Sequence, residues 1–143
     1  MIDKPQMVST EQAFTTDAVS EYSYDLGAAN KQIGHSGKPL VMHVVVTTAF
    51  TGGDSGVRIH IVDSDAAALT SDRALGSCPS ENCSDDCVIP IGDLDAIGDH
   101  LQCLVPPGIK LKRYLGAHVV PVSEALATGD MDIWFDDTME SAD

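Results

Sequence analysis

Apolar residues along this chain recur mostly at every second position, and they are rich in β-branched and aromatic types. Runs of glycine, proline, serine and aspartate separate them. That is the period and punctuation of β-strands. The pattern predicts strands over residues 19–26, 39–48, 57–63, 86–91, 100–105, 111–120 and 131–136, with an eighth around Ala74 and Leu75. In the second of these, Leu40, Met42, Val44 and Val46 share one face and Val41, His43, Val45 and Thr47 the other. Both faces are largely apolar, which predicts a central strand. In the third, Val57, Ile59 and Ile61 face one way and Arg58 and His60 the other, the pattern of a half-solvated strand. Between them Thr51-Gly52-Gly53-Asp54-Ser55-Gly56 reads as a loop, since its three glycines accept positive φ.

Helical signals are confined to 64–69, about two turns capped by Ser64 or Asp63, and to 123–127, both read as connectors. Many short strands without long intervening helices predict an all-β fold, an antiparallel β-sandwich or jelly roll. Its expected core is Leu40, Met42, Val44, Val46, Val57, Ile59, Ile61, Leu115 and Ile133. The 143 residues suit one domain. Its predicted organisation is an N-terminal arm over 1–18, the jelly-roll domain over 19–137 and an acidic tail over 138–143. The arm carries Ile2, Met7, Val8 and Phe14 without a core-forming period. It is expected either to contact another protein or to lay Val8 and Phe14 back on its own sheet.

Charge narrows the partners. Twenty-two acidic residues against eight basic ones give a net charge of −14, which opposes binding to nucleic acid or to an anionic membrane surface. The start MIDKPQMVST lacks the features of a secretory signal, and no apolar run approaches the roughly 20 residues that span a bilayer, so synthesis in the cytoplasm is expected.

Candidate chemistry is sparse. Cys78, Cys83, Cys87 and Cys103, with His100 nearby, invite a zinc reading, but the spacing lacks a C-x2-C knuckle. Disulfides are a second account, with Cys87 and Cys103 on neighbouring strands and Cys78 and Cys83 closing a local loop; free thiols are a third. His35, His43, His60, His100 and His118 are scattered singly, and His43, His60 and His118 lie in strands where they could converge. No G-x-S-x-G elbow is present, and the glycine loop at 51–56 lacks the Lys-Ser/Thr ending of a phosphate-binding loop. The paired aspartates do not form a calcium loop and read as a solvated surface. The expectation is a binding protein that is not an enzyme and holds no metal or cofactor.

Five stretches in order carry a wider resemblance: STEQAFTTDAVSEYSYDLG, GKPLVMHVVVTTAFTGG, VRIHIVDSDAAALTS, LVPPGIKLKRYLGAHVV and GDMDIWFDD. Taken together they make the chain similar to the jelly-roll capsid cement, or decoration, proteins of tailed bacteriophages. The cysteine-rich stretch 77–87 and the acidic tail depart from that pattern. The resemblance implies a structural virion protein on the outer capsid surface. It would bridge capsomers of the major capsid protein as a homo-oligomer, a dimer or a trimer. A carbohydrate-binding jelly-roll module is the alternative, and it would require exposed aromatic platforms.

Overall fold

The computed structural model describes residues 7–26, 31–32, 40–52, 56–70, 72–77, 88–105, 110–122 and 125–136. Eleven strands run along these residues: β1 (Met7–Ala13), β2 (Ala18–Val19), β3 (Tyr24–Asp25), β4 (Lys31–Gln32), β5 (Val41–Thr51), β6 (Val57–Ser64), β7 (Arg73–Ser77), β8 (His100–Leu104), β9 (Lys110–Leu111), β10 (Tyr114–Pro121) and β11 (Thr128–Asp136). Every ladder between them is antiparallel. One sheet has the order β1-β11-β5-β8; the other has β2-β10-β6-β7, with β3 also on β10.

The pairings nest from the two ends of the chain inward. β1 meets β11, β2 and β3 meet β10, β4 meets β9, β5 meets β8, and β6 meets β7. This is a long hairpin rolled up and closed by β5–β11 and β6–β10, which is the construction of a jelly roll. The expected antiparallel sandwich is therefore the fold.

All nine residues named for the core are buried. They meet Phe50, Phe135, Met131, Ile89, Leu94, Leu111 and Val119 between the inner faces of the two sheets. β5 is flanked by β11 and β8, the central position its two apolar faces predicted. At the start of β11 the ring of Phe50 lies against Gly129, where a Cβ would come within 2.7 Å of the ring. Gly129→Ala is expected to force Phe50 out of its rotamer and to lower stability by about 1–3 kcal/mol, the range for overpacking a close-packed core. Equilibrium urea unfolding measures it.

Several sequence expectations need correction. The segment 7–18 is no arm: β1 is an edge strand paired with β11, and Val8 and Phe14 are fully buried in the shared core. Its polar centre disguised it. A bulge between Ser9 and Gln12 shifts the register, with Glu11 in the left-handed region (φ 47°) and its N–H donating to Asp132 Oδ1 at 2.6 Å. The single strand expected over 19–26 is two, because Ser20 breaks the ladder: its Oγ accepts from Ala117 N–H and donates to the Tyr22 carbonyl. In the predicted strand 86–91 the described residues are 88–91, and among them only Ile89 forms a bridge, with Val57; Pro90 then leads into a 3-10 turn at Ile91–Asp93. Residues 64–69 make turns and no helix, with Leu69 left-handed (φ 58°). The acidic tail at 138–143 lies outside the described residues, as do Ser123 and Glu124 of the second connector.

Candidate functional site

With the inner faces spent on the core, any recognition chemistry must lie on the outer faces, the edges or the loops. Each outer face carries a pair of histidines. On the β1-β11-β5-β8 sheet, His43 sits opposite Trp134 on β11 and Gln102 on β8. Its ring stacks on Trp134 at 5.1 Å with planes 9° apart, and its Nδ1 lies 3.1 Å from Nε2 of His100. Trp134 is only 7% exposed. The sole tryptophan is thus consumed in an internal stack and offers no platform to a sugar ring, which weakens the carbohydrate reading.

On the other sheet, His60 of β6 and His118 of β10 are direct cross-strand partners. His118 Nε2 hydrogen-bonds Asp17, from the corner before β2, and its Nδ1 lies 3.6 Å from Asp72 Oδ2, just before β7. Burial, reinforced by His118 and Arg58 and opposed by Asp72, lowers the pKa of His60 from its ordinary value. Residues 65–70, which follow β6, come back over this face. Leu69 packs over Gly116, where a Cβ would collide with a leucine methyl, and Ser64 Oγ donates to the Thr70 carbonyl at 2.6 Å. Of the three strand histidines expected to converge, His60 and His118 meet; His43 lies on the opposite sheet and meets His100 instead. The His43–His100 pair was not expected, because it depends on the register of β5 with β8.

Beside the second pair lies a buried anchor. Asp63 is fully buried and takes a bidentate interaction from Arg73, at 3.1 and 2.7 Å, together with the N–H of Lys112 at 2.9 Å. Arg73 also donates to the Lys110 carbonyl at 3.1 Å, so one carboxylate ties β6, β7 and the β9–β10 corner together. Its partner guanidinium has a raised pKa, chiefly through the hydrogen bond to Asp63. Among the described residues no group of three His, Cys, Asp or Glu is placed to hold a metal ion.

The residues proposed for contact are distributed unevenly. Val8 and Phe14 are core and present nothing to a partner, Met7 is half-buried, and Ile2 lies outside the described residues. Cys103 is 1% exposed and disulfide-bonded, so it is neither a free thiol nor a zinc ligand. Cys78, Cys83 and Cys87 lie outside the described residues. Among the described residues the large apolar side chains that reach solvent are Tyr22, Ile97 and Leu104, on a loop, a loop and an edge strand.

Fold and surface together define a one-domain antiparallel jelly roll whose polar clusters brace its outer faces. The Bbp16 family model matches residues 8–134, from β1 into β11, and the chain belongs to that family. No curated protein matches the sequence.

Proposed function

We propose that this protein decorates and cements the outside of a tailed-phage capsid, binding across capsomers of the major capsid protein without catalysing a reaction. The observation that carries this reading is the coincidence of the five resemblance-bearing stretches with the two rolled sheets: they cover β1 to β3, β5, β6 with its following loop, the end of β8 through β10, and β11. Cementing requires buried area repeated over many copies, which a rigid acidic sandwich supplies through edges and loops. Because Val8 and Phe14 are core, attachment falls to other surface, and Tyr22, Ile97 and Leu104 are the exposed apolar candidates. Co-sedimentation of the purified chain with capsids that lack it tests the proposal. Saturable binding is the expected result, weakened by Ile97→Asp or Leu104→Asp with melting unchanged. Binding to a glycan array with no capsid association would favour the carbohydrate reading.

A further inference from the structure

The connection that leads into β8 is fastened to the sandwich at several points. Ile89 exchanges both backbone hydrogen bonds with Val57, at 2.8 and 3.0 Å, and the 3-10 turn at Ile91–Asp93 follows. Leu94 is fully buried in the core, and its carbonyl accepts the Phe50 N–H at 2.9 Å. Gly98 and Asp99 then join β5: the Gly98 N–H donates to the Val46 carbonyl at 2.8 Å, and the Val46 N–H donates to the Asp99 carbonyl at 2.9 Å. Between these fixed points Ala96-Ile97-Gly98-Asp99 makes a tight turn. The Asp99 N–H donates to the Ala96 carbonyl at 3.1 Å, and Asp99 Oδ2 accepts the Ala96 N–H at 3.2 Å. Gly98 has a φ of +94° while Ile97 keeps a negative φ, which makes the turn type II with Ile97 at its first corner. At that corner, which proline commonly fills, Ile97 stands 76% exposed, the most exposed large apolar side chain among the described residues. Tyr22 carries a hydroxyl that suits water and Leu104 is half covered on β8, whereas the side chain of Ile97 has no polar atom and adds nothing to the core.

We infer that Ile97 is a preset knob that enters an apolar socket on a partner protein, and that basic side chains rim the socket. The rim follows from charge. Asp93, Asp95 and Asp99 all lie within four residues of Ile97, no Lys or Arg occurs between residues 88 and 105, and the chain as a whole carries −14. An apolar contact made inside that negative field is favoured by Lys and Arg on the other side and opposed by a second copy of this acidic chain. Rigidity supplies the other half of the argument. Because the backbone of the turn is already hydrogen-bonded, seating Ile97 orders one side chain and no loop, which keeps the entropic cost of binding small. The inference rests on the capsid reading, in which the socket belongs to the major capsid protein.

Equilibrium binding of the purified full chain to capsids that lack it, measured over a salt series, tests the knob. The native chain should bind with an affinity that falls as salt rises. Ile97→Ser should weaken binding at least about tenfold, the scale of taking an isoleucine-sized side chain out of water, and should leave melting unchanged because the side chain lies outside the core. Asp95→Lys keeps Ile97 in place and should weaken binding at low salt while flattening its salt dependence. Native binding that Ile97→Ser leaves intact would overturn the knob and leave the capsid reading standing. Equal or tighter binding by Asp95→Lys would overturn the basic rim. A native chain that does not bind capsids at all would overturn the capsid reading, and the socket with it.

Discussion

Phe14→Ala is expected to lower the unfolding free energy by about 3–5 kcal/mol, the range for truncating a buried aromatic. Phe14 has no exposed surface, lies in the inter-sheet cluster beside residues of both sheets, and is locked at the end of β1 by its N–H to the Gly129 carbonyl at 2.8 Å. Deleting residues 2–14 removes Phe14, Val8 and the whole of β1, and it strips the β11 edge of its partner. That truncation should abolish cooperative melting. A truncated chain with an unchanged melting profile would show that 7–14 is peripheral, against the placement described here.

The second large effect belongs to the buried carboxylate. Arg73→Met should cost about 3 kcal/mol, because it leaves Asp63 charged, fully buried and supported mainly by the Lys112 N–H. Asp63→Asn should cost less, about 1–2 kcal/mol, since the amide still accepts that N–H and the side chain of Arg73, 46% exposed, can turn to water. The ordering follows from the asymmetry of burial: the charge that cannot reach solvent suffers more from losing its partner. The double variant should be less destabilised than the sum of the two, as contact within one network requires. Strict additivity in urea unfolding would mean that the pair contributes little.

Sequence pattern made the sandwich legible wherever one register of a strand was apolar. Val57, Ile59 and Ile61 against Arg58 and His60 announced both the strand and the face it buries, and β5 announced its central place. β1 was hidden for a physical reason. Thr10, Glu11 and Gln12 interrupt its apolar period, and a bulge keeps Val8 and Phe14 on the core side. The Gln12 side chain then donates to the Val19 carbonyl and accepts from the Glu21 N–H, and the Glu21 carboxylate accepts from the Thr10 N–H, contacts that no local pattern encodes. The His43–His100 pair was beyond reach for a related reason. His43 and His100 are 57 residues apart, and they meet only through the register of β5 with β8. Turn chemistry was readable at Pro90 and less so at Leu69, whose left-handed backbone is held by packing against Gly116.

These corrections also relocate the surface on which a decoration protein would act. An N-terminal arm is a natural grappling element, but here residues 7–14 close the sandwich, so in the proposed role the exposed edges and loops are the contact candidates among the described residues. Such a surface loses little conformational entropy on binding, which suits many weak contacts repeated over a symmetric shell.

The most direct measurement of that role is a titration of the purified chain onto undecorated capsids, with bound copies per particle quantified and particle rupture followed on heating. A capsid decoration protein should saturate at a fixed copy number set by the icosahedral lattice and raise the rupture temperature of the decorated shell. Failure to bind at micromolar concentration, or binding that never saturates and leaves rupture unchanged, would contradict that role.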